Sequence, residues 1–386
     1  MIYLDNSATT EISAAAKKKM YDTMEVYGNP SSTHTAGIEA RRIIDEAREK
    51  IASALGAGRV NTENLIFTAC GSESNNTAIL GCAYAKEKRR ANKIITTDSE
   101  HPSVENVMRR LEKDGFEVVR VSTKGGRING EEFLSAIDEK TLLVSMMLVN
   151  NETGAVYEIG KLFGAAKRKN PEIVTHCDAV QGFLKIPFTP KTLSADLISV
   201  SAHKIHGPKG VGALYISPDI IKAKKVIPYI IGGGQEGGYR SGTENIVGIA
   251  GFAAAAEECK VGFAQNCTKM VQLRDRCEQI AIAAGAVPNI PKGKRAPHVL
   301  SVTLPNIKSE TMLNHLSGVG ICISAGSACS AHSKNMSSTL LGFGLTPHEA
   351  DCTVRISFSK YNTESDLEAF KKALTDGINT LVRIKH

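Results

Sequence analysis

Lys204 closes an apolar run. Asp196-Leu197-Ile198-Ser199-Val200 leads into Ser201-Ala202-His203-Lys204, and the loop Ile205-His206-Gly207-Pro208 follows. A lysine at the end of a buried strand is poorly placed for a solvated charge. Burial disfavours the ammonium form, leaving a nucleophilic amine that can hold an aldehyde as a Schiff base. Asp178 closes a second apolar run, Ile173-Val174-Thr175-His176-Cys177, and Gln181 follows it. A carboxylate there can keep the proton of a pyridinium nitrogen and make the ring an electron sink. Taken singly, a strand-end Lys or Asp is usually structural. With a Gly/Ser turn upstream, the two point to pyridoxal phosphate.

That turn is Thr68-Ala69-Cys70-Gly71-Ser72-Glu73-Ser74-Asn75. It joins a strand to a helix, where backbone N–H groups and a hydroxyl make an anion site. Gly71 and Ser72 are the candidates, and Ser201 and His203 offer further donors. Ser72 is also expected to serve as the helix N-cap. His101, in Glu100-His101-Pro102-Ser103, suits either capping or stacking on a cofactor ring with acid/base work. Asn151 follows the apolar run Leu142 to Val149 and builds a turn or hydrogen-bonds the cofactor. Asn151, Asp178 and Lys204 all sit at strand ends, where doubly wound sheets bind ligands.

Arg355 interrupts the apolar strand Thr353-Val354-Arg355-Ile356-Ser357-Phe358 and needs a partner. A substrate carboxylate gripped bidentately is one choice; an internal Asp or Glu is the other. The glycine-rich segment 232–245 supplies Arg240 and Thr243, either in a plain connection or in a loop closing over a phosphate. Cys329 lies in Ser324-Ala325-Gly326-Ser327-Ala328-Cys329-Ser330-Ala331-His332, a small-residue loop that suits a mobile, exposed nucleophilic thiol. Cys329 with His332, or His203 with His206, lacks the two clustered pairs of a zinc site, so no metal is expected.

The elements that must position these groups alternate. Runs at Leu65–Thr68, 93–97, 117–121, 141–149, 173–177, 197–201 and 212–216 read as strands, and helical patterns at 36–55 and 72–90 accompany them. That alternation predicts an α/β, mostly parallel, doubly wound sheet. Beyond it, 251–284 reads as one long helix. A smaller α+β domain follows, with strands at 299–304, 320–323 and 353–358 and a final helix from Glu364. The expected division is a large domain over 13–250 and a small one over 1–12 and 251–386.

The chain has 386 residues, ample for two domains, and a formal charge of +7. Its basic clusters at Lys17–Lys19, 86–90 and 222–225 read as solvated faces, with an acidic partner protein or RNA as the weaker reading. No aromatic-interleaved basic stretch marks a nucleic-acid module, so no direct nucleic-acid binding is expected. No apolar run approaches the roughly 20 residues of a membrane span. The N-terminal residues show no signal peptide. Nine scattered cysteines suggest a reducing cytoplasm rather than a disulfide scaffold.

Taken together, these segments resemble the cysteine desulfurases of NifS/IscS type, among the class-V aminotransferase-like enzymes. The likeness runs nearly end to end, from Tyr3-Leu4-Asp5-Asn6-Ser7-Ala8-Thr9-Thr10 and Gly28-Asn29-Pro30-Ser31-Ser32 to the Arg355 strand. The resemblance implies pyridoxal phosphate fold type I, the aspartate-aminotransferase-like fold, as a homodimer. It implies Lys204 as the Schiff-base lysine, Asp178 and Gln181 on the ring, and His101 stacked upon it. Ser72, Ser201 and His203 would hold the phosphate, with Thr243 reaching in from the other subunit. Asn151 and Arg355 would hold L-cysteine, and Cys329 would take its sulfur as a persulfide for an acceptor protein, an iron–sulfur scaffold or a tRNA or thiamin thiolation protein. Five positions depart from the family pattern: Cys70, Ser72, Tyr157, Glu158 and Gly238. Other readings stay open: an aminotransferase or selenocysteine lyase, or a non-catalytic sulfur carrier or scaffold. The first would not need Cys329, and the last would not need Lys204.

Overall fold

The computed structural model describes residues 1–58, 63–85, 91–325 and 337–384. In chain order its first strands are β1 (Ile2–Tyr3), β2 (Leu65–Thr68), β3 (Lys93–Thr97), β4 (Glu117–Val121), β5 (Thr141–Met147), β6 (Ala155–Val156), β7 (Val174–Asp178), β8 (Leu197–Ser201) and β9 (Gly212–Ile216). Seven of these form the central sheet, in the order β2-β9-β8-β7-β5-β3-β4. The strands from β8 to β4 run parallel, and β9 runs antiparallel to both β8 and β2.

Successive side chains of a strand point to opposite faces, and the sequence alternates accordingly. Phe67, Ile95, Val144 and Ile198 pack on one face, under α2 (Thr35–Leu55) and the helices Ile159–Lys169 and Ile246–Val261. Helix α1 (Ala14–Met24) lies against the last of these. Ile66, Ile94, Leu143, Leu197 and Leu214 pack on the other face, under α3 (Gly71–Ala85) and α4 (Pro102–Lys113). Covered on both sides, the central strands read as unbroken apolar runs, which is why they were legible in the sequence.

A second core gathers Leu4, Leu300, Val354, Ile356 and Phe370. It is built on β10 (Val287–Pro288), β12 (Val299–Thr303) and β14 (Thr353–Ser357), an antiparallel sheet. Two small ladders complete the topology. β11 (Lys294–Arg295) pairs with β6, and β13 (Ile321–Cys322) runs parallel to β1. The helices Phe263–Ala283, Ser309–Gly318 and Glu364–Thr380 cover this core.

The long helix expected over 251–284 is two helices, Ile246–Val261 and Phe263–Ala283. Gly262 is the joint. Its backbone, at φ −85° and ψ 7°, leaves the helical values between the two. Among the described residues, no helix is long and apolar enough to cross a membrane.

Candidate active site

Five strand ends meet at one edge of the sheet. β2 leads to Gly71 and Ser72, β3 to His101, β5 to Asn151, β7 ends in Asp178 and β8 in Ser201. Thr68 and Ser201 both pair with Gly212, which brings the two outer ends level. Between them lies a cavity of about 200 Å³. Its wall carries Gly71, Ser72, His101, Asn151, Asp178, Gln181, Ser201, His203, Lys204 and Arg355. Ten of the sequence-predicted groups therefore share one space.

Lys204 Nζ donates to the carbonyls of Ser7 and Ala8, at 2.6 and 2.7 Å. Asp178 is fixed from two directions. Asn75 Nδ2 donates to one carboxylate oxygen at 2.7 Å and the Val180 N–H to the other at 3.0 Å. Gln181 Nε2 donates to the Ser7 carbonyl at 2.9 Å.

Helix α3 begins at Gly71, so Ser72 lies inside its first turn and is not the expected N-cap. The turn is closed by other groups: the Ala69 N–H donates to the Glu73 carboxylate at 3.0 Å and the Ser74 N–H to the Cys70 carbonyl at 3.1 Å. Ser72 is left exposed at the cavity. The Ser201 hydroxyl is buried without a protein partner. Gly71 has no room for a side chain, since a Cβ would stand 2.7 Å from Val180 Cγ2. His203, half-buried, places Nδ1 3.2 Å from Thr9 Oγ1, and burial first and Lys204 second lower its pKa to about 3.

His101 serves both of its candidate uses. It caps α4, with Nδ1 accepting from the Ser103 N–H at 3.1 Å, and it lines the cavity. Burial lowers its pKa below the ordinary value; Asp178 opposes this, while Lys204 and Arg355 add to it. The accepting Nδ1 leaves the neutral ring's proton on Nε2.

Arg355 is 2% exposed. Its Nη2 donates to Asp5 Oδ1 and its Nη1 to the Asn151 carbonyl, both at 2.9 Å. The internal acid is therefore present, yet the guanidinium still lines the cavity and its Nε–H has no protein partner.

Thr243 does not join this cavity. It is exposed, in a separate depression with Phe67, Glu236 and Arg240, and Arg240 Nε donates to Glu73 at 2.9 Å. Cys329 and His332 lie outside the described residues. Among the five departures, Tyr157 is buried with its hydroxyl 2.9 Å from Ser99 Oγ, and Gly238 has φ +85°, a left-handed backbone that disfavours a bulky residue.

Sequence reading missed Asn75, which ties Asp178 to Ser103, and the backbone carbonyls of Ser7 and Ala8. Asn75 carried a weak signal as the polar residue one turn into the helix after a phosphate-type turn. A carbonyl has no side chain to read.

The donor set fits pyridoxal phosphate. The Lys204 amine, the hydrogen-bonded Asp178 carboxyl group, the start of α3 and the unsatisfied Ser201 hydroxyl line one space, and each answers one polar end of that molecule.

The chain matches the family model described as aminotransferase class-V over residues 2–370. It is 38% identical to a cysteine desulfurase IscS of Dictyoglomus turgidum (strain DSM 6724 / Z-1310), with 95% of this chain and 91% of that protein covered. A solved structure described as a NifS-like protein superposes with a TM-score of 0.91 at 38% identity, covering 98% of this chain and all of the other. Another, described as SspA in complex with cysteine, gives 0.81 at 33% identity, covering 94% of this chain and 100% of that one. With its fold, its cavity and these relatives in agreement, the chain belongs to the class-V aminotransferase family, among the pyridoxal phosphate-dependent cysteine desulfurases of NifS/IscS type.

Proposed function

We propose that this chain converts L-cysteine to L-alanine and carries the sulfur away as a persulfide on Cys329. The observation that carries the reading is the convergence of Lys204, Asp178 and Arg355 on one cavity. The nearly full-length likeness to a protein named cysteine desulfurase supports it, as does a relative bound to cysteine.

Bound pyridoxal phosphate supplies an electron sink for the charge that develops at the substrate Cα. Lys204 would hold its aldehyde, and the Lys204 amine is placed to take the Cα proton. Asp178, steadied by Asn75, would meet the ring nitrogen. Gly71, Ser72, Ser201 and His203 would hold the phosphate, and Thr243 of the partner subunit would complete that cradle. Gln181 and the neutral His101 would meet the ring. Asn151 and Arg355 receive the substrate carboxylate.

The Cys329 thiolate then attacks the substrate sulfur. A sulfur–sulfur bond forms as the Cβ–S bond breaks, the electron pair stays with the carbon skeleton, and protons taken up at Cβ and Cα give alanine. Cys329 is left as the persulfide and hands its outer sulfur to an acceptor protein serving iron–sulfur assembly or tRNA or thiamin thiolation. The working form is a homodimer in the cytoplasm.

The test mixes purified, cofactor-loaded protein with L-cysteine and a reductant and measures alanine and sulfide together. Equal yields are expected. Cys329→Ala should still change the cofactor's visible spectrum on adding cysteine, yet release no sulfide. Wild-type turnover in that variant would overturn the reading.

A further inference from the structure

Behind Gln181 the protein buries two bases and no acid. His298, fully buried, places Nε2 3.2 Å from Gln181 Oε1. Lys185 Nζ donates to the same oxygen at 3.5 Å from a side chain that is 7% exposed. Neither residue lines the cavity. Gln181 does, and its Nε2 end rests on Ser7, which lines it too.

The two ends of this amide therefore face different chemistry, and only one orientation is tolerable. Reversed, the amide NH₂ would turn toward the Lys185 amine and the His298 ring and leave the Ser7 carbonyl. Its oxygen would stand against the Ser7 carbonyl, two acceptors with no proton between them. As placed, Oε1 takes both donors and Nε2 gives one N–H to Ser7. The second N–H remains on the cavity side.

The protonation states agree with this. Burial drives the pKa of His298 well below its usual value, so the ring is neutral; the Nε2–H tautomer gives its proton to the Gln181 oxygen, and Nδ1 has no protein partner. Burial first, and the cation Lys204 second, lower Lys185 to about 7. Lys185 also lines a small cavity of about 30 Å³ with His206, Cys259 and Lys360. Among the described residues, no carboxylate forms an ion pair with it. Two buried bases without an acid cost stability, and packing alone would be served better by apolar residues of the same volume.

We propose that Lys185 and His298 are positioning residues that act through Gln181. They anchor its carbonyl and so aim its free amide N–H into the cavity, toward the oxygen on the cofactor ring. The inference rests on the pyridoxal phosphate reading above and adds two residues to it, neither of which touches cofactor or substrate.

The test is a double-mutant cycle on the cofactor-loaded protein, read by the pH midpoint of the visible absorption band and by the cofactor dissociation constant. Lys185→Met keeps the volume of the side chain and removes a buried amine, so the variant is expected to fold; His298→Gln is the second probe. Each should move the midpoint by about half a pH unit or more, in the direction that Gln181→Ala moves it. In the Gln181→Ala background, adding Lys185→Met should change nothing further. An unchanged midpoint in both single variants overturns the proposal. So does a shift from Lys185→Met that persists without Gln181, since that would be a direct effect of charge through space. A wild-type protein with no visible band would instead overturn the cofactor reading itself.

Discussion

Asp5 and Arg355 stand 350 positions apart in the chain and 2.9 Å apart in space. The pair is buried on the arginine side, at 2% exposure, and more open on the aspartate side, at 16%. Asp5 engages one guanidinium nitrogen and the Asn151 carbonyl another, while the Nε–H has no protein partner and the group lines the cavity. The aspartate thus holds in place the cation proposed to receive the substrate carboxylate.

Arg355→Ala should therefore weaken L-cysteine binding while the cofactor stays bound. A charge-assisted hydrogen bond is worth about 1.5–3 kcal/mol, or about 10- to 150-fold in KM. Arg355→Lys should fail to restore it, since an ammonium lacks the fork that reaches Asp5 and a carboxylate together. Steady-state kinetics decide this, and an unchanged KM counts against it.

Asn75→Ala should loosen the cofactor. Asp178 would lose a donor at 2.7 Å and keep only the Val180 N–H. A loss of about 1.5–3 kcal/mol in cofactor affinity is expected, measured by equilibrium dialysis. Affinity equal to wild type would mean that Asn75 is only a packing group.

Glu100 offers a pH test outside the cavity. Burial raises its pKa to about 8, although the Thr97 hydroxyl and the Met147 N–H donate to it. The unfolded group titrates near its ordinary 4.5, so between these values the folded chain holds a proton that the unfolded chain has released. The resulting stability is complete below the lower value and is lost as pH rises toward the upper one. Relative to Glu100→Gln, the wild type should lose up to about 1.4 kcal/mol per pH unit across that window and nothing more above it. Urea unfolding at several pH values measures the slope; a flat difference would contradict it.

Thr243 lies outside the cavity of its own chain, so its proposed phosphate role requires a second copy. Mixing inactive Lys204→Ala subunits with inactive Thr243→Asp subunits should restore activity through one intact site per mixed dimer. A fully active monomer in dilute solution would refute the arrangement.

Much of this was legible in the sequence because buried parallel strands write themselves as apolar runs, and the strand ends then carry the polar residues. Lys204, Asp178, Asn151 and His101 were visible for that reason. The break at Gly262 was not, because the residues on both sides keep a helical pattern and one residue carries little periodic signal. Strand order was not legible either, because it depends on pairings between residues far apart. One partner of Gln181 escaped for the same cause: His298 lies 117 residues from it in the chain.

The contacts of the segment Ile2–Thr10 reach far along the chain. Arg355 follows Asp5 by 350 residues, and Lys204 follows Ser7 by 197. At synthesis rates of about 5–20 residues per second, roughly 20–70 s separate Asp5 from its partner. During that interval the central sheet can form, but β1 has no β13 to pair with until residue 322 emerges, and the Ser7 carbonyl that receives both Lys204 and Gln181 sits just beyond β1. A polypeptide cut short before β13 and β14 therefore carries Lys204 but neither the strand that docks β1 nor Arg355.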